Sequence, residues 1–339
     1  MKDRLRAIVD RFEGTPVAVV ADLVLDEFLY AEIARVSREA PVLIVDHRRL
    51  DAMPGGGGNA VQNVRALGGR PIPVGVVGDD EAGHRLVELL ESSGIDAHGV
   101  ARLGGYATPV KTRVLAGLPH SRPQQVVRID RGSASRVPAE AAGAAAETAL
   151  GLLERGQVSG IMLSDYGYDL ITPASARPLI EHARLRKVPI TCDSRQRLKG
   201  YAGVTAITPN LEEAEQMAGQ KLDDAPGTLA EAGRRMLEKL ACRAVLVTRG
   251  SRGMTLIEEG VAPFDIPVFG GDQVADVTGA GDTVIAVFTL ALSAGATPRA
   301  AAMLANCAAG LVVLKRGTAT VSGDELRAAI DRLPPGPAA

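Results

Sequence analysis

Asp282 follows three residues with little or no side chain, Gly279, Ala280 and Gly281, in the stretch DVTGAGDTV at 276–284. Beyond it Val284, Ile285, Val287, Phe288 and Leu290 recur at helical spacing, so a helix begins at this acid. The first N–H groups of a helix lack intrahelical partners and carry partial positive charge. Side chains this small let an anion come close to those amides. An acid beside such a site suits one chemistry: the amides hold a phosphoryl group in transit, while the carboxylate orients a hydroxyl and takes its proton. An ordinary capped helix behind a turn is the alternative, and the tetrapeptide alone does not separate the two.

A second cluster is PGGGGNA at 54–60. Consecutive glycines cost about 0.5–1 kcal/mol each in regular structure relative to alanine, so Gly56, Gly57 and Gly58 are read as a close approach between backbone and ligand. Asn59 adds a donor and an acceptor suited to a sugar hydroxyl. GGGGNA also fits G-x-G-x-x-A, with Asp79 and Asp80 about 20 residues further on, as a dinucleotide site requires. Against that, Met53-Pro54 separates the glycines from the preceding strand, and the match comes well after the first strand. No GxxxxGK[ST] phosphate loop occurs in the chain.

The elements that must position these groups alternate. Short branched runs at 17–21, 72–77, 160–164, 188–192, 204–208 and 244–248 read as strands. Helix-period segments lie at 59–67, 82–92, 139–155, 174–186, 211–218 and 229–240. The fold class is therefore α/β, a doubly wound, mainly parallel sheet with helices on both faces. Ligands of such sheets bind beyond the carboxyl ends of the strands, where Asp22, Asp165, Asp193, Asn210 and Arg249 fall. Two segments, 27–50 and 106–130, alternate like strands instead, and together make a small β-sheet lid. Residues 1–15 read as an N-terminal segment and 334–339 (PPGPAA) as a flexible tail.

Composition excludes several classes. A net charge of -2 leaves no electrostatic footprint for nucleic acid or an anionic membrane. No run approaches 18 apolar residues, so no membrane span is expected. The start, MKDRLRAIVDRFEG, is charged throughout and does not read as a secretory signal. Cys192, Cys242 and Cys307 sit far apart in apolar settings, which implies reduced thiols and a cytoplasmic location. The five histidines are too scattered for a zinc site.

Five motifs come in order: PGGGGNAVQNVRALGG from 54, TPNLEEAE at 208–215, VTRG at 247–250, DVTGAGDT at 276–283 and NCAAGLVVLKRGTATVS at 306–322. With them, residues 16–330 resemble the PfkB (ribokinase-like) carbohydrate kinases. RVSREAPV at 35–42, SRPQQVVRID at 121–130 and LSDYG at 163–167 narrow the resemblance to the kinase half of bacterial bifunctional heptose-7-phosphate kinase/heptose-1-phosphate adenylyltransferases. No HxGH nucleotidyltransferase motif is present, so the reading expects a stand-alone kinase.

The resemblance implies transfer from ATP to the anomeric hydroxyl of D-glycero-D-manno-heptose 7-phosphate, a step toward nucleotide-activated heptose for lipopolysaccharide. It implies Asp282 as catalytic base and Gly279, Ala280 and Gly281 as anion hole. Asn210 and Glu213 fall to magnesium and the ATP phosphates, Thr248, Arg249 and Gly250 to the nucleotide, and Asn306 to the adenine. Magnesium would travel with ATP, with Glu213 as the one candidate protein contact; a monovalent cation is a further candidate cofactor. Asp22, Asp26 and Gly56–Asn59 fall on the sugar, with Asp165 and Asp193 as further substrate candidates at their strand ends. An acceptor phosphate needs cations, for which Lys111, Arg113 and Arg128 on the lid are candidates. A capping box for Asn210 and Glu213, a buried helix contact for Asn306 and solvent-facing lid charges are the bland alternatives.

Three departures bear on the acceptor: Arg195 stands where the bifunctional enzymes have lysine, Ala21-Asp22 replaces the usual Gly-Asp, and Gln62 differs as well. A kinase for ribose, fructose or a nucleoside therefore stays open, as does a non-catalytic sugar-binding protein, although a binder has no need of the Asp282 carboxylate. Relatives pair through lid strands, so a homodimer is expected.

Overall fold

A computed structural model describes residues 1–118, 121, 123–222, 227–271 and 275–334. The chain opens with α1 (Lys2–Asp10), β1 (Pro16–Ala21), the long hairpin β2 (Leu23–Val36) and β3 (Leu43–Gly56), then α2 (Gly57–Ala66), β4 (Arg70–Gly78), α3 (Glu81–Ser92) and β5 (Val100–Leu103). Next come β6 (Val110–Gly117), β7 (Gln124–Arg131), α4 (Ala139–Glu154), β8 (Gly160–Asp165), α5 (Pro173–Arg186), β9 (Ile190–Ser194), β10 (Ala206–Ile207), α6 (Leu211–Ala218) and α7 (Thr228–Leu240). The last third holds β11 (Ala244–Thr248), β12 (Met254–Glu258), β13 (Phe264–Ile266), α8 (Ala280–Ser293), α9 (Pro298–Val312) and α10 (Gly323–Arg332).

Nine strands form the main sheet in the order β13-β12-β11-β10-β9-β8-β1-β4-β5. Pairing is parallel from β5 through β11, and antiparallel only where β12 and β13 close one edge. Side chains of β1 alternate between the two faces. Val17, Val19 and Ala21 join a core with α1, α2, α8, α9 and α10, whereas Ala18 and Val20 join one with α4, α5 and α7. Burial on both faces is why these strands read as unbroken apolar runs.

The lid is a separate four-stranded sheet, β3-β2-β6-β7. Its centre pairs β2 with β6 in parallel, so Asp26 lies beside Lys111 and Phe28 beside Arg113, and the outer pairs are antiparallel. Residues 119, 120 and 122 of the expected lid segment, and 335–339 of the expected tail, lie outside the described residues.

Several elements differ from the periodicity, among them β9, β10 and α1. β9 begins at Ile190 and not at 188, because Lys187 adopts φ 57 and the Val188 N–H caps α5 on the Ala183 carbonyl. β10 keeps two residues of the five expected. α1 precedes the first strand and buries Leu5, Ile8, Val9 and, just past its end, Phe12 in the core. Among the described residues no helix is long and apolar enough to cross a membrane, and Cys192, Cys242 and Cys307 are buried and unpaired.

Candidate active site

The bare start of the helix, with one acid at its mouth, owes its shape in part to the turn before it. Gly279 takes φ 78 as N-cap of α8, and a Cβ there would come within 2.4 Å of the Asn59 amide. The Asp276 carboxylate pins this turn by accepting from the amides of Thr278 at 2.9 Å and Gly317 at 3.0 Å. Asp282, in the first turn of α8, is then buried to 4% exposure. Its Oδ2 accepts from Asn59 Nδ2 at 3.1 Å, and its Oδ1 accepts from the Tyr166 hydroxyl at 2.5 Å. Burial pushes its carboxyl up to about 6; the bonds from Tyr166 and Asn59 and the charge of Arg195 oppose that rise, while Asp26 adds to it. A carboxylate poised there is ionised at neutral pH yet ready to take a proton.

Asp282 opens on a cavity of about 290 Å³. Gly279 and Gly281 form one wall, Asp26, Gly56, Lys111 and Arg113 the lid side, and Asp193, Arg195, Asn210, Glu213 and Thr248 the strand ends. Lys111 is 9% exposed, and burial together with Arg195 pulls its ammonium below the usual lysine range. Arg113 is held by Asp26 at 2.7 Å. Burial pushes the Asp193 carboxyl well up, with Glu213 and Asp282 adding to the rise. Two further hydroxyls on the wall, Thr208 Oγ1 and Thr318 Oγ1, are buried and have no hydrogen-bond partner among the described residues. Buried polar atoms without partners are rare, and both residues border a space lined by small amides, cations and acids, which fits a polyphosphate. Among the described residues no group of three acids, histidines or cysteines could cage a metal. One or two carboxylates, Glu213 and Asp193, fit an ion that arrives on phosphates.

Asn210 and Glu213 do two things at once. The Asn210 side chain caps α6 at the Glu213 amide and the Glu213 carboxylate accepts from the Asn210 amide, each at 2.9 Å, a complete capping box that also faces the cavity.

Several sequence candidates lie elsewhere. Asn59 is fully buried, tied to Asp282, Gly279 and Asn63, so it supports the acid and does not face the cavity. Gly57 and Gly58 serve chain packing, since a Cβ would meet Ala21 Cβ at 2.2 Å and Pro54 Cβ at 2.9 Å. Asp22 and Asp165 shape the loop after β8. Asp22 Oδ2 accepts from the amides of Tyr166 and Tyr168 at 2.8 and 3.1 Å, leaving Oδ1 buried without a partner, and burial lifts its carboxyl to about 6. Asp165 accepts from Arg197, Ser194, Tyr201 and the Gly167 amide. Arg128 stands opposite Arg113 but is exposed and paired with Asp130. Arg249 bonds to the Arg252 carbonyl and to Asp265, and Gly250 follows it in a short 3-10 turn. Asn306 lines a different cavity, with Phe264 and Arg299, where it donates to the Pro267 carbonyl at 2.9 Å.

Tyr166 is the residue that sequence reasoning passed over. Arg195 lies over its ring at 4.5 Å and Lys111 at 5.1 Å. Its place in LSDYG, directly after the strand-end acid Asp165, marked the loop but not the reach of its hydroxyl across to α8.

The chain is 41% identical over 329 residues to the bifunctional protein HldE of Azotobacter vinelandii (strain DJ / ATCC BAA-1303) and 39% identical to that of Pseudomonas aeruginosa (strain LESB58). In each case the match covers 97% of this chain, and the chain spans 66% of the relative's length. A ribokinase of Arabidopsis thaliana complexed with ribose and ATP superposes with TM-score 0.71 at 19% identity, over 94% of this chain and 99% of that one. Phosphofructokinase-2 from Escherichia coli in complex with potassium gives TM-score 0.73 at 18% identity, over 94% and 100%. At such identities the two structures speak for the fold alone, which is ribokinase-like. The model of the pfkB family carbohydrate kinases matches residues 23–324, and the chain belongs to that family.

Proposed function

We propose that the chain transfers the γ-phosphoryl group of ATP to the anomeric hydroxyl of D-glycero-D-manno-heptose 7-phosphate, giving the 1,7-bisphosphate. The observation that carries the transfer is the buried Asp282 carboxylate beside the bare start of α8, in one cavity with Lys111, Arg195 and Glu213. The heptose acceptor is supported by the motifs at 35–42, 121–130 and 163–167 and by the likeness to the bifunctional HldE proteins.

In this reading residues 16–330 work as one kinase unit, with 27–50 and 106–130 as its lid. Asp282 accepts the proton of the attacking hydroxyl, held in orientation by Asn59. The amides of Gly279, Ala280 and Gly281 hold the transferring group's oxygens as charge develops. Lys111, with Arg195 in place of the exposed Arg128, supplies the cationic wall; Arg113 is already balanced by Asp26. Thr208, Thr248 and Thr318 give hydroxyls to the phosphates, and Asp26 and Gly56 border the sugar. Magnesium, bound with ATP and approached by Glu213, would screen the phosphate charge. Closure of the lid excludes water that would otherwise take the phosphoryl group. Three buried, unpaired cysteines and ATP as donor support a cytoplasmic setting for the reaction.

Consumption of ATP with heptose 7-phosphate, ribose, fructose and adenosine tests the acceptor. Heptose 7-phosphate should give the highest kcat/KM, and Lys111→Ala should erode that preference. A plain sugar preferred by wild type would contradict the reading.

A further inference from the structure

Both oxygens of the Asp282 carboxylate already accept a hydrogen bond, and the two donors differ in freedom. Asn59 is fully buried; its amide is shared between Asp282 and the Gly279 carbonyl, and its oxygen accepts from Asn63. It has nowhere to go. Tyr166 is half-buried and lines the cavity, and its ring meets Arg195 and Lys111 only through soft cation–π contacts. The backbone beneath it is fixed, because Asp22 holds the amides of Tyr166 and Tyr168 and Asp165 holds that of Gly167. Rotation of the side chain is the motion left to it.

An alcohol that is to surrender its proton to Oδ1 needs the place that the phenol occupies. We infer that Tyr166 is a latch on Asp282: its hydroxyl fills the acceptor's place on the carboxylate until an acceptor displaces it, which keeps water from being activated against ATP. The inference rests on Asp282 as the base and goes beyond it by naming what restrains that base. Lys111 and Arg195 tie the latch to its trigger. Phosphate oxygens entering the cavity compete with the Tyr166 ring for both cations, and so loosen the ring as the substrates arrive. The reaction held back is the hydrolysis of ATP. A water oxygen bonds to the γ-phosphorus, the bond to the bridging oxygen of ADP breaks, and the water's proton goes to Asp282; the products are ADP and inorganic phosphate.

ATP hydrolysis measured with no sugar present tests the latch in wild type, Tyr166→Phe, Asp282→Asn and the double variant, at a pH well above 6 so that Asp282 is ionised. Tyr166→Phe should hydrolyse ATP about tenfold faster than wild type, the factor that one hydrogen bond to an ionised group represents, and the double variant should lose that excess. Tyr166→Met, which also lacks the hydroxyl, should behave alike, so a folding defect in one variant leaves the test standing. Unchanged hydrolysis in both, or an excess that survives Asp282→Asn, overturns the latch. No acceptor enters the assay, so the outcome stands whichever sugar is the substrate. Should Asp282→Asn retain wild-type phosphoryl transfer, it is the base that is misassigned, a different result from a failed latch.

Discussion

Burial lifts the Asp282 carboxyl from the ordinary aspartate value to about 6, and Asn59 and Tyr166 hold it from going higher. The sign of the pH effect follows. As the proposed base, Asp282 must be ionised, so kcat/KM should fall by about tenfold per unit as pH drops below 6 and level off above it. Asn59→Leu removes one of the bonds that favour the charged form, so its acid limb should move to higher pH. A limb that stays put in that variant would separate Asn59 from the acid. The same shift bears on stability. With its folded pKa above the unfolded one, the group binds its proton more tightly when folded, so ionisation through the window between about 4 and 6 works against folding, by roughly 3 kcal/mol. Buried acids shifted this far cluster at functional sites. Asp282 was legible from its setting of small residues. Asn59 was legible as a polar residue beside glycines, but its partner lay 223 positions away, and no local pattern reports such a pairing.

At the scale of elements, the start of α8 separates packing from function. Gly279 and Gly281 look alike in sequence, yet a Cβ at 279 would strike Asn59, whereas one at 281 meets nothing within 4 Å and carries no positive φ. Gly281→Ala should therefore fold at least as well as wild type, with a gain of up to about 1 kcal/mol from helix propensity. Its turnover should drop, because the added methyl lies on the cavity wall where the phosphoryl group must approach. Denaturant midpoints and kcat on one preparation check both halves; full activity would remove Gly281 from the anion hole. Helices α2 to α7 and the start of α8 were legible by their 3.6 period, α6 to the residue, whereas α9 and α10 were not picked out. The glycine run at 55–58 was legible as a close approach but not as to what. It brings α2 against Ala21 and β3 against Asp26 of β2, and neither neighbour is adjacent in sequence.

In the whole molecule, alternation at 27–50 and 106–130 was enough to set the lid apart from the βα units, and the order of its strands was not, since β2 pairs in parallel with the distant β6. α1 was left out of the body for a like reason: its apolar stripe of Leu5, Ile8 and Val9 is short, and its meaning comes from α10, which shares its core. The lid leaves an open flank. β7 is an edge strand, and Val126, Val127 and Ile129 on it are 44–49% exposed. We propose that a second copy covers this edge, as unpaired strands with branched residues invite. Sedimentation should then show two chains per particle, and Ile129→Lys should yield one; a single-chain wild type would contradict the pairing. The proposed kinase turns on one carboxylate, beside a helix mouth, that takes the proton of an incoming alcohol. Turnover of purified Asp282→Asn, with ATP affinity measured on the same sample, tests it most directly. The expected result is a loss of about two decades or more in kcat with ATP binding largely kept, and near-wild-type turnover would contradict it.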